Sequence, residues 1–456
     1  MSLTLRNVEV DGRAGLDVRV EAGRIAAIGP RLPRAGDDLD GQGGALIPGL
    51  CDHHIHILGL AARADSVNAE DAATPAAFAA RIAEATAARP PGAWIRVLGY
   101  HEALAGELTR ADLDRLAPAH RLRVQHQTGA LWVLNSLALE ALGESGDPPG
   151  LERETGRLWR GDAWLRGRIG SRPPPLAPIG ARLAACGVTA LTDASVTTDA
   201  SAAEILAEAH RVGDLPQRLT LMSGGPLAAP PDAAFAVGPL KVLLDDHSLP
   251  DLDDFLARIA AARAQGRNVA VHCVTAAELA LTLAVFETAG AEVGDRIEHG
   301  SVIPPDAVAI LRRLRLTVVT QPAFLRERGD RYAREVAPQD RPDLYRLKSL
   351  VDAGVPLAAS SDAPYATPDP WLGIAAAVDR ASAGGLVLGA DERLDPARAL
   401  GLYLDDPALP GRRPRRVAVG EPADLCLLDV PLVQALAAPS SERVRATLVG
   451  GRLVHG

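Results

Sequence analysis

Aromatic residues make up only 3% of this 456-residue chain, although 47% of it is hydrophobic. Alanine, leucine and valine must therefore fill its core, and a chain of this length can bury a large one. There are four cysteines, Cys51, Cys186, Cys273 and Cys426, scattered without a C-x-x-C pair. They are expected as buried thiols in a cytoplasmic protein. The net charge of −9 comes without any basic block, which argues against nucleic acid or an anionic membrane as partner. No apolar stretch approaches the ~20 residues that span a bilayer. The opening residues alternate like a strand and carry charge at Arg6, unlike a signal peptide.

Both ends of the chain read as short β-strands: Leu3–Val10, Leu16–Glu21 and Arg24–Ile28 at one end, Asp424–Leu428, Ala446–Val449 and Arg452–Val454 at the other. Residues 1–47 and 410–456 are therefore expected to form a small β-sandwich-like domain. Between them strand and helix alternate, the pattern of a parallel α/β fold. A strand near residue 50 and seven more, ending at Asp193, Ser223, Leu244, His272, His299, Gln321 and Asp362, make eight. Their economical closure is a (β/α)8 TIM-type barrel over 48–409. The expected helices are Ala200–Val212, Leu252–Gln265, Ala276–Ala289, Pro305–Arg313, Asp343–Ala353 and Trp371–Ala383, and the third connection (Ala-Ala-Pro-Pro-Asp-Ala-Ala-Phe) is a poor helix. Residues 66–175 exceed one connection and read as a subdomain inserted after the first barrel strand, expected to wall the substrate pocket.

The chemistry starts at residues 46–56, an apolar run broken by Pro48-Gly49 and ending in three histidines within four positions. Along a strand His54 and His56 share a face and His53 points away. By itself, H-x-H is more often a hydrogen-bonded pair than a metal grip. The same holds for a single strand-end His or Asp elsewhere. Four histidines (His54, His56, His272, His299), Lys241 and Asp362 at the ends of five expected strands are another matter, because barrel chemistry sits at those ends. Lys241 stands alone in the apolar run Gly-Pro-Leu-Lys-Val-Leu-Leu. Burying its ammonium is costly unless it is paired or changed, and carboxylation by carbon dioxide makes it a bridge between two metal ions. His120, His210 and His455 read as surface residues, and Glu298 is expected to point away from the site by alternation.

Pro-Gly-x-x-Asp-x-His-x-His, the lone strand-four lysine, His on strands five and six, and Ser-Asp-Ala-Pro after strand eight together resemble the metal-dependent amidohydrolase superfamily. So do Gly-Val-Thr-Ala-Leu-Thr-Asp-Ala, Asp-Arg-Ile-Glu-His-Gly and Val-Gly-Glu-Pro-Ala-Asp-Leu-Cys-Leu-Leu-Asp. The insert, with Val-Leu-Gly-Tyr-His-Glu and Leu-Asn-Ser-Leu-Ala-Leu-Glu, is similar to the amidohydrolase 3, or YtcJ-like, branch. That branch usually has Gly-His before the Asn-Ser, where this chain has Gly129-Ala130, so His126 or His101 is the substitute imidazole.

The resemblance implies one metal ion on His54, His56 and Asp362, a second on His272 and His299, and carboxylated Lys241 between them. Zinc suits this donor set best, and a single ion is the alternative. It further implies attack by a metal-activated hydroxide on a C–N bond (amide, N-acyl or cyclic amide) of a small molecule, with Asp362 moving the proton. Tyr100, His101, His126 and Gln321 are the candidate substrate contacts, and a homodimer is the implied assembly. A lactonase or esterase on the same site is a rival. A mononuclear deaminase ranks lower, since that group shows Glu three positions after the strand-five His, where Thr275 stands, and lacks the lysine. A non-catalytic scaffold would be expected to have lost ligands.

Overall fold

The computed structural model describes residues 2–170 and 173–456, the side chains of Asp71 and Ala163 excepted. The chain divides into two compact units, Met1–Ile57 with Leu176–Gly456, and Leu58–Pro175.

The larger unit carries an eight-stranded parallel sheet in chain order: β1 (Leu50–Ile55), β2 (Val188–Asp193), β3 (Arg218–Ser223), β4 (Ala236–Val242), β5 (Val269–Cys273), β6 (Arg296–His299), β7 (Thr317–Thr320) and β8 (Leu357–Ala359). Strands β1, β2, β6, β7 and β8 are buried at every position, which is why they read as apolar runs rather than alternations. The ring closes where the chain after β8 meets β1. Asp362 N–H donates to the His54 carbonyl and His56 N–H to the Ala363 carbonyl, each at 2.8 Å. The Asp52 carboxylate fixes the same seam, accepting from the Ser361 amide (3.0 Å) and hydroxyl. This is a TIM-type (β/α)8 barrel.

Helices Ala200–Val212 and Ala276–Ala289 match the sequence reading, and both have capped starts: Asp199 accepts from the Ala202 amide, and Thr275 and Glu278 form a reciprocal capping box. No helix forms between β3 and β4 among the described residues. The connection from β7 to β8 differs from expectation. A helix at Ala323–Glu335 carries most of it, and the expected Asp343–Ala353 shrinks to Lys348–Asp352. The first is highly charged and buries only Ala323, Phe324, Leu325 and Gly329, so its apolar period is faint. Ahead of the second, Tyr345 adopts a left-handed φ of 45°, and the Glu392 carboxylate caps the Leu347 and Ser349 amides.

The chain ends supply two four-stranded sheets, one from Ser2–Val10, Arg13–Glu21, Arg24–Gly29 and Asp37–Asp40, the other from Leu46–Pro48, Leu425–Leu428, Val444–Val449 and Arg452–His455. They share a core of Leu5, Val18, Ile25, Leu425 and Leu448, which makes the module sandwich-like. All four cysteines are free and buried.

The second unit is built on a six-stranded sheet whose middle strands are Trp94–Tyr100, Arg121–His126 and Leu131–Leu134. Helix Pro75–Ala87 packs Phe78 and Ile82 against Ile95, Val97, Leu122 and Val124. A second cluster joins Trp132, Leu134, Leu139 and Leu158. Among the described residues no helix is long and apolar enough to cross a membrane.

Candidate metal centre

His54 lies in β1 and His56 just beyond it; Asp362 follows β8 by three residues and is drawn in by the seam hydrogen bonds. Ligand atoms of these three lie within 4.8 Å of one another. Asp362 Oδ1 is 3.1 Å from His56 Nε2 and 3.3 Å from His54 Nε2. These separations match the ~3.0–3.4 Å expected between neighbouring ligand atoms roughly 2.1 Å from a shared ion. His54 Nε2 and Asp362 Oδ1 are buried and complete no hydrogen bond, as is Lys241 Nζ.

The opposite edge of each ring is anchored. His54 Nδ1 donates to Glu298 Oε2, His56 Nδ1 sits 2.9 Å from Ser195 Oγ, and His299 Nδ1 sits 2.9 Å from Gln321 Oε1. The Gln321 amide is oriented in turn, its NH2 donating to Ser360 Oγ at 2.9 Å. With Nδ1 engaged, each imidazole leaves Nε2 free, the arrangement that orients metal-binding histidines. The rings form a chain: His54–His56 centroids are 5.3 Å apart, His54–His299 4.8 Å and His272–His299 4.5 Å.

Electrostatics hold the carboxylates ionised. Burial opposes charge on Asp362, yet His54, His56 and His299 keep it well below the usual carboxylate range. Burial likewise opposes charge on Glu298, and Arg296, Lys241 and His54 outweigh it. Burial, then Lys241, pushes His272 down to about 4 and so keeps it neutral and able to ligate. Burial also lowers Lys241, with Glu298 and Asp362 partly offsetting.

The structure thus gathers His54, His56 and Asp362 tightly, with His299 and His272 adjoining and Lys241 buried within the field of Asp362 and Glu298 but paired with neither. Glu298 corrects the sequence reading, for it turns into the site. Alternation holds only in extended backbone, and His299 has a left-handed φ of 70°, so both neighbours serve one centre. Gln321, an expected substrate contact, is fully buried with its amide bonded to His299 and Ser360. Tyr100, a second expected contact, is buried with its hydroxyl donating to the Gly106 carbonyl. His101 and His126 stand 5.5 Å apart in the smaller unit beside Glu102. His120, read as a surface residue, is buried against the Arg89 carbonyl. Sequence reasoning missed Ser195 and the role of Glu298. The signal for the latter was present, since Arg296 and Glu298 are charges inside a short barrel strand just as Lys241 is.

A TIM-type barrel whose strand ends offer free imidazole nitrogens and an ionised carboxylate belongs to the class of metal-dependent hydrolases. The chain belongs to the amidohydrolase family, whose model matches residues 39–455. It is 24% identical to the N-substituted formamide deformylase of Arthrobacter pascens, over 94% of this chain and 92% of that one. It is 23% identical to YtcJ of Bacillus subtilis (strain 168), provisionally named an amidohydrolase, over 92% of this chain and 90% of that one. Its fold is that of a metal-dependent hydrolase of Pyrococcus horikoshii OT3, with a TM-score of 0.77 at 20% identity over 94% of this chain and 97% of that one.

Proposed function

We propose that this protein hydrolyses the C–N bond of a small carboxamide, with N-substituted formamides the first class to try. The observation that carries the reading is the convergence of ligand atoms from His54, His56 and Asp362 within 4.8 Å of one another, with His54 Nε2 and Asp362 Oδ1 buried and unpartnered. The relative that acts on N-substituted formamides supports the substrate class. Zinc is the proposed metal, held by His54, His56 and Asp362. When bound, it supplies Lewis acidity to the substrate carbonyl and to water.

The chain's own residues do the rest. Asp362 takes the proton from the attacking water and returns it to the leaving nitrogen, giving a carboxylic acid and an amine. Glu298, Ser195 and Gln321 hold the imidazoles in one tautomer, so that no reorganisation is needed at the moment of reaction. His272 and His299 would hold a second ion, and Lys241, once its neutral amine has added carbon dioxide and released a proton, would supply a carbamate ligand beside them. The unpartnered Nζ supports that reading. A one-ion form is favoured instead by the nearby charges of Glu298 and Asp362, which support the ammonium form of Lys241 against its burial.

A screen of N-substituted formamides, N-acyl amines, cyclic amides and lactones with the zinc-loaded protein tests the proposal. Turnover of an amide, abolished by chelation and restored by zinc, is expected. Turnover confined to lactones would replace the C–N assignment, and turnover indifferent to chelation would overturn it.

A further inference from the structure

We infer that His101, Glu102 and His126, all in the smaller unit, form a further metal site that takes a divalent transition ion such as zinc. The inference does not depend on the barrel reading. Strands Trp94–Tyr100 and Arg121–His126 pair in parallel, with Tyr100 opposite His126. The chain leaving the first strand therefore brings residues 101 and 102 beside His126. His101 caps the short helix Glu102–Ala105, its Nδ1 accepting the Ala103 N–H at 3.0 Å. Glu102 Oε2 reaches across to 2.9 Å from His126 Nε2 and lies 4.0 Å from His101 Nδ1. One ligand atom from each of the three falls within 4.8 Å of the others.

Two features go beyond an ordinary ion pair. His126 Nδ1 accepts the Thr128 N–H at 3.2 Å and sits 2.8 Å from the Thr128 hydroxyl, which fixes the ring with Nε2 aimed at Glu102, the anchored orientation that metal-binding histidines depend on. Glu102 and His126 also line a cavity of about 260 Å³, walled by Tyr100, Leu108, Val124 and Leu131. Three protein ligands leave a coordination position open, and here the apolar chamber adjoins it. Two imidazoles and one carboxylate suit zinc over magnesium or calcium, which prefer oxygen alone. The chamber has room for a small organic molecule with one donor atom.

The full-length protein, stripped by chelator and titrated with zinc alone, decides the matter by counting bound metal. Wild type is expected to hold one equivalent more than Glu102→Gln or His126→Ala. A crystal grown with zinc should show an anomalous peak roughly 2.0–2.2 Å from the three ligand atoms. Glu102→Gln keeps the shape of an exposed side chain, so it serves even where His126→Ala misfolds. The double variant His54→Ala, His56→Ala should keep this equivalent, which separates failure here from failure of the barrel reading. Equal metal counts in wild type and Glu102→Gln, with no peak at these residues, would overturn the site.

Discussion

Asp362 Oδ1 lies 3.1 Å from His56 Nε2, and yet that oxygen completes no hydrogen bond. The seam hydrogen bonds carry its backbone to β1, and its left-handed φ of 54° turns the side chain to the imidazoles. A non-glycine residue in that conformation stores strain of about 1–3 kcal/mol, which folding tolerates because the surroundings fix it.

Asp362→Asn removes the proposed proton carrier and anionic ligand while keeping the shape. Turnover of an amide substrate should fall by roughly a hundred- to ten-thousand-fold. Circular dichroism should remain that of the wild type. A variant with near-normal rates would refute the proton-shuttling role.

Glu298→Gln should do two things at once. Metal affinity should fall roughly 10- to 100-fold, because His54 loses the anion that fixes its ring. Denaturant unfolding should also show a loss of about 3–5 kcal/mol, because Arg296, 1% exposed, is left without its counter-charge. Unchanged zinc affinity would remove Glu298 from the centre.

Lys241→Ala separates one ion from two. The bridged reading expects at least one metal equivalent fewer per chain by elemental analysis, whereas a counter-ion role for Lys241 leaves the count at its wild-type value.

Away from the centre, Asp405 offers a pH test. Burial raises its carboxyl to about 6 from 3.8, only partly opposed by the Gly411 amide, which donates to it at 2.9 Å. A folded-state value above the unfolded one stabilises fully below about 3.8, and that stabilisation is lost as pH rises through about 6. The melting temperature of Asp405→Asn relative to wild type should therefore climb between pH 4 and pH 7. A flat or falling difference would contradict the shift.

The barrel was legible because buried parallel strands are runs of apolar residues, and the ends expected at Asp193, Ser223 and His299 are where those strands stop. The cluster His54, His56 and Asp362 was legible because polar residues at the ends of such runs are costly without a purpose. Glu298 and the helix Ala323–Glu335 were not. The former depends on one left-handed residue, His299, that breaks the strand's alternation, and the latter on a narrow apolar face amid charges. The anchoring of His56 by Ser195 spans 139 positions, and only the closed barrel brings the two together.

Metal analysis of the purified protein beside its His54→Ala, His56→Ala variant tests the central claim most directly. The account predicts at least one equivalent of a divalent transition ion bound through these residues, lost from the variant together with amide hydrolysis. A wild-type protein that hydrolyses amides without bound metal, or a variant that keeps both the wild-type metal count and activity, would contradict it.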